Sequence, residues 1–136
     1  LLLEITDINQ LEVIENSCKK VEIAGLVARG NESGGWVSED AAFILAQKLL
    51  AKQSLPVIVQ GGIGVHTAAA CRAAGALGVV LDAQLWLMPE SPLPREWQQY
   101  LINLSGSEAV LIGERLNARC RVLSRPGFAV INNYNN

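Results

Sequence analysis

Aromatic residues are scarce in this chain: three Trp, two Tyr and two Phe make up 5% of its 136 residues. A core built from it must therefore be aliphatic, drawn from Leu, Val, Ile and Ala within a 50% hydrophobic fraction. Cysteine is scarce too. Cys18, Cys71 and Cys120 are odd in number and far apart, which suits neither a disulfide framework nor zinc-ligand spacing. They are expected to be buried or idle thiols in a reducing cytoplasm, and no metal site is expected. No apolar run reaches the roughly 18 residues of a membrane span. The opening Leu1-Leu2-Leu3 meets Glu4 with no basic segment before it, so it does not read as a signal peptide. A net charge of −2 supplies no basic footprint for nucleic acid and no acidic tail. Neither GxxxxGK[ST] nor GxGxxG occurs, which argues against a P-loop NTPase and against the dinucleotide fingerprint.

What is present is a repeating strand-then-helix pattern. "LLLEIT" reads as a strand over Leu1–Thr6 that ends at Asp7, a fitting N-cap for a helix over Ile8–Cys18. Ile8, Leu11, Ile14 and Cys18 share one face of that helix. Ile23–Ala28 suits a buried strand. It leaves through Gly30-Asn31-Glu32-Ser33-Gly34-Gly35, and a second helix is expected from Ser38, with Glu39 and Asp40 in its first turn. Ala42, Leu45, Ala46 and Leu49 give that helix its apolar stripe. Pro56 opens a third strand, Thr67–Ala76 forms a third helix, and Gly78–Leu81 is a fourth strand. Near-continuous apolar strands joined by helical crossovers predict a parallel sheet in the α/β class. After "PESPLP" the pattern changes. Arg95–Leu104 reads as one amphipathic helix, and two strands follow around a turn near Glu114–Asn117. The polar ending "NNYNN" is expected to be disordered.

In parallel α/β folds, sites form from the loops at the C-terminal ends of the strands. Three loops here fall on that face: "GNESGG", "GGIG" and "DAQ". In "VIVQGGIG" the glycines either supply a tight turn or let a phosphate reach bare backbone and the N–H groups of the next helix. "GNESGG" is open to the same pair of readings. His66, just after this cluster, suits a solvent-facing or phosphate-side place better than catalysis. Trp36 is either a cover for a flat ligand or a packed aromatic. Asp82 either binds its own backbone turn or faces a ligand.

The stretches "GNESGGWV" and "PVIVQGGIGVHTAAACRAAGALGVVLDAQLWLMPESPLP" resemble the C-terminal half of the nitronate monooxygenase (2-nitropropane dioxygenase)-like flavin barrels. Flavin-dependent enoyl-acyl-carrier-protein reductases and the enoyl reductases of polyunsaturated fatty acid synthases are their relatives. The likeness runs from about Leu1 to Pro94 and is nearest to the versions embedded in type I polyketide synthases. It implies a TIM-barrel half, strands five to eight, over residues 1–94, with a helix and β-hairpin extension over 95–136. It also implies FMN, with its phosphate on the loops after strands seven and eight. Gly61 and Gly62 would be the strand-seven phosphate donors, with Gln60 beside them as a cofactor-binding residue and Ala83 and Gln84 in the strand-eight loop. Ser33, Gly34 and Gly35 match the loop that approaches flavin and substrate.

Two departures stand out. Nitronate-oxidising members place a catalytic histidine directly after that Gly-Gly, where this chain has Trp36 and so lacks the base that takes a proton from a nitroalkane; no catalytic residue is assigned. Asp82-Ala83-Gln84 replaces a Gly-Thr loop, which brings a carboxylate toward the phosphate. A closed barrel takes eight strands and about 250 residues, so the chain is expected to be a fragment or to pair with another half. The resemblance implies an FMN-binding oxidoreductase domain that reduces an enoyl thioester within a polyketide or fatty-acid synthase. The alternatives are a non-catalytic flavin-fold module, or a barrel for another phosphorylated ligand.

Overall fold

The computed structural model describes residues 1–17 and 21–124. Cys18 and the expected disorder of the last five residues therefore lie outside the described residues. The chain divides into two compact units, Leu1–Val80 and Leu81–Asn136.

The first unit holds strands β1 (Leu2–Ile5), β2 (Gly25–Arg29), a two-residue β3 (Gly35–Trp36), β4 (Val57–Gln60) and β5 (Gly78–Val80). Helices α1 (Gln10–Ser17), α2 (Ala42–Lys52) and α3 (Val65–Ala73) connect them. The sheet order is β1-β2-β4-β5, and every pairing is parallel. Each strand lies beside the previous long one, as successive strands do in a barrel wall. This is the expected α/β order.

Strand pleating alternates the faces. Ile5, Leu26, Ala28, Val57 and Val59 are wholly buried and pack with Leu45 and Leu49 of α2. The predicted stripe of α2 is the buried one: Ala42, Leu45, Ala46 and Leu49 are all at most 1% exposed. Burying each large aliphatic side chain here contributes about 1.5–3 kcal/mol, so this helix–sheet layer carries the unit. Ile8, Leu11 and Ile14 add partly buried packing against it. The alternate residues, Glu4, Val27, Arg29, Ile58 and Gln60, occupy the opposite face of the sheet.

Several boundaries differ from those the sequence predicts, each for a long-range reason. Helix α2 starts at Ala42 rather than near Ser38. The Asp40 and Glu39 carbonyls accept from the Asn31 backbone N–H (2.9 Å) and Asn31 Nδ2 (3.0 Å), so that segment closes a loop instead of a helical turn. Ser38 Oγ donates to Asp7 Oδ2 at 3.2 Å, and Asp40 pairs with Lys48 at 2.7 Å. Asp7 itself accepts from Asn9 N at 2.8 Å, closing a turn one step before α1 begins. Helix α3 runs earlier than 67–76. It stops at Gly75, φ +102°, where Ala76 N donates to the Cys71 carbonyl (3.0 Å) and Gly75 N to that of Arg72 (3.1 Å). That turn buries Ala76 and frees the chain for β5.

Cys71 is fully buried. Burial pushes its thiol above the ordinary range, against a smaller opposing pull from its backbone hydrogen bond. This fits an inert core thiol. Among the described residues no helix is long and apolar enough to cross a membrane.

The second unit opens with a 3-10 turn at Ala83–Leu87, then helix α4 (Arg95–Ile102). Trp97 and Tyr100 meet edge-to-face on α4, with ring centroids 6.1 Å apart. Strands β6 (Ala109–Ile112) and β7 (Cys120–Leu123) pair antiparallel as the expected hairpin. Its turn needs two left-handed residues, Gly113 (φ +77°) and Asn117 (φ +51°). Arg119 pairs with Glu114 at 3.0 Å, and Arg121 Nη1 donates to the Ala109 carbonyl at 3.0 Å.

Candidate functional site

The C-terminal ends of β2 and β4 lie side by side, with Arg29 opposite Gln60. Their two glycine-bearing loops interlock there. Gly30 N donates to the Gln60 carbonyl at 3.0 Å, and Ser33 Oγ donates to the same oxygen at 3.2 Å. Ser33 N donates back to the Gly30 carbonyl at 3.0 Å. One backbone oxygen thus anchors both ends of the Gly30–Ser33 turn.

This interlock explains two glycines by packing. A Cβ on Gly30 would land on the backbone of Ala42, so glycine is what lets β2 end against the start of α2. Gly61 has φ +110°, and a Cβ on it would sit 2.6 Å from Ser33 Oγ. Gly61 is buried, and Ser33 is only 2% exposed. Both serve the seam between the loops.

Gly62 is different. It is exposed at φ +60°, and the side chain of Glu32 lies across it, with Cβ and Cγ each 3.5 Å from its missing Cβ. Gly64 follows in extended conformation as the first residue before α3, which starts without a side-chain cap. Open space surrounds the Cβ positions of both Gly64 and Gly34. An uncapped helix start beside side-chain-free backbone can accept an anionic group, because its first N–H groups lack helical partners.

The sequence marks Glu32 only as one of the polar groups of the GNESGG loop, not as a helix cap. Its Oε2 accepts from Ala42 N at 2.9 Å, so it caps α2 from ten residues upstream. Capping residues are usually sought next to the helix, and nothing local marks this one. Replacing Glu32 with Ala is expected to cost about 1 kcal/mol, read as a shift of the denaturant midpoint. Gln, which keeps an acceptor oxygen, should cost less; equal losses for both would contradict the cap.

Arg29 was unmarked, because the sequence ends the strand at Ala28. The strand runs one residue further and places Arg29 at the mouth. Its Nη1 donates to Glu4 Oε2 at 2.8 Å, and its Nη2 donates to the Gly34 carbonyl. Its Nε is buried with no hydrogen-bond partner among the described residues. Such a group normally costs about 1–3 kcal/mol, so the position is held by its other contacts.

The remaining expected site residues separate. Gly35 (φ +82°) and Gly34 lie at the mouth with Gln60, Gly61 and Gly62. Trp36 is 65% exposed and His66 is exposed. Ala83 and Gln84 belong to the second unit, where Asp82 Oδ1 accepts from Ala83 N at 2.6 Å and Gln84 Oε1 accepts from Asp82 N at 3.3 Å. Of the two readings of Asp82, binding its own turn is the one observed. Among the described residues no cluster of His, Cys, Asp and Glu can hold a metal ion.

No protein-family profile matches this chain, and no curated protein sequence does. Solved structures do. FabK from Thermotoga maritima matches at TM-score 0.78 and 26% identity, over 92% of this chain and 39% of its own. The M276A mutant of the same protein matches at TM-score 0.79 and 25% identity, over 96% of this chain and 42% of its own. Nitroalkane oxidase from Streptomyces ansochromogenes matches at TM-score 0.72 and 20% identity, over 91% of this chain and 38% of its own. The chain thus spans roughly two fifths of each of these proteins. Its fold is that of a partial (β/α) barrel.

Proposed function

We propose that this chain is the C-terminal half, strands five to eight, of an FMN-binding oxidoreductase barrel of the nitronate monooxygenase-like group. Residues 1–94 form the barrel half and 95–136 its extension. The observation that carries the reading is the paired glycine loops at the C-terminal ends of adjacent parallel strands. The match of nearly the whole chain to FabK supports it, as does the match to a nitroalkane oxidase.

In this reading Gly62 and the start of α3 take the FMN phosphate. Gln60 and Gly61 shape that turn, and Ala83 and Gln84 line the strand-eight loop. Ser33 locks the Gly34–Gly35 backbone against β4, which lets that backbone approach the flavin and its substrate. When bound, the flavin supplies the hydride transfer, and the chain supplies binding and orientation. The rest of the barrel comes from further chain or another half. We assign the substrate as an enoyl thioester, and the setting as a cytoplasmic polyketide or fatty-acid synthase.

Trp36 favours a second reading. It stands where the nitronate-oxidising members of the resembling family have a histidine, and its indole can neither accept nor release a proton as a general base does. A flavin-fold module without catalysis would tolerate that substitution. Absorption spectra of the purified full-length protein separate the two. The first reading expects bound flavin that reduced nicotinamide bleaches and an enoyl thioester re-oxidises. Flavin that no donor or acyl thioester turns over would favour the module. A protein that neither holds flavin nor takes up added FMN would sink the first reading.

A further inference from the structure

Arg29 does something that neither glycine loop can do for itself. Glu4 lies on β1, in register with Val27, two residues before Arg29 on the neighbouring strand. The guanidinium reaches back to that carboxylate with one arm and forward to the Gly34 carbonyl with the other. A guanidinium is planar, so fixing one arm on Glu4 fixes the direction along which the other can take an acceptor. Nη2 also lies 3.1 Å from the place a Cβ on Gly35 would fill. The loop backbone therefore rests directly on the cation. With 20% of its side chain exposed, Arg29 is only moderately screened, whereas Glu4, at 58%, faces water.

The geometry points to Arg29 as a positioning residue. It is a two-armed strap from β1 that sets where the Gly34–Gly35 backbone stands relative to the mouth of the barrel. Ser33 fixes the near end of the loop onto β4, and Arg29 fixes the far end onto β1. Lysine at this position would keep the charge but not the rigid fork, so it could not hold both oxygens in one fixed direction. The strap itself stands on its contacts; only its effect on ligand binding rests on the proposed flavin site.

Amide hydrogen exchange on the full-length protein, with and without FMN, tests this in wild type, Arg29→Gln, Arg29→Lys and Glu4→Ala. Asn31 N and Ser33 N report on the loop through their bonds to Asp40 and Gly30. Arg29→Gln should speed exchange at those two amides about tenfold, the loss expected when a charge-assisted hydrogen bond goes. The amides of Val57–Gln60 should not change. Arg29→Lys should recover only part of the protection. Glu4→Ala, which leaves Arg29 in place and removes its anchor, should reproduce much of the Arg29→Gln effect, and it decides the matter if Arg29→Gln fails to fold. FMN affinity should fall about tenfold in Arg29→Gln with it. Unchanged loop exchange in Arg29→Gln, or in Glu4→Ala where that variant must decide, would overturn the strap. So would exchange raised equally across β2 and β4, which marks general loosening. If wild type takes up no FMN, the flavin reading fails, while the exchange results still decide the strap.

Discussion

Gly61→Ala should destabilise the first unit strongly, by about 2–5 kcal/mol. Two costs add. A side chain at φ +110° is strained, and the new Cβ would meet Ser33 Oγ at 2.6 Å. Ser33 cannot give way cheaply, because its hydroxyl and its amide are both committed to the seam. Gly62→Ala supplies the control. At φ +60° with only ordinary contact to Glu32 at 3.5 Å, it should cost about 1–2 kcal/mol. Thermal melts of the full-length protein should place Gly61→Ala roughly 10 °C or more below wild type, with Gly62→Ala clearly above it. Equal melting of the two variants would mean that the seam does not depend on Ser33 packing.

The second large effect reverses that order for ligand binding. Gly62 is exposed and borders the uncapped start of α3, so Gly62→Leu should block an anion there, at a folding cost no smaller than that of Gly62→Ala. Loss of charge-assisted hydrogen bonds to a phosphate corresponds to about a hundredfold weaker FMN binding. Riboflavin, which has no phosphate, should bind wild type and Gly62→Leu with similar affinity. An equal loss for both ligands would move the phosphate elsewhere.

The contrast between the two neighbours bears on how far the sequence could be read. Periodicity was enough for α2, because Ala42, Leu45, Ala46 and Leu49 bury by local spacing alone. The parallel order followed from strands that alternate with helices. "GGIG" was legible as a special loop but not as two glycines with different tasks. Gly61 answers to Ser33, 28 residues away, and no local pattern records that contact. The contacts of Arg29 and Glu32 escaped for the same reason. Their partners, Glu4 and Ala42, lie on elements brought close only by the sheet and its crossover. Trp36 is 65% exposed, which leaves it available to cover a ligand, while its indole makes it no base.

These contacts make a coherent mouth. β4 holds the near end of the glycine loop, β1 holds the far end through Arg29, and Glu32 ties the same loop to α2. The loop is therefore pre-set before any ligand arrives, which limits the ordering cost of binding.

Titration of the full-length protein with FMN, followed by quenching of the flavin fluorescence, tests the central claim most directly. Saturable binding to one site per chain is predicted, weakened by Gly62→Leu and spared by a surface change such as Lys52→Ala. Absence of saturable binding in wild type, or binding that Gly62→Leu leaves unchanged, would contradict it.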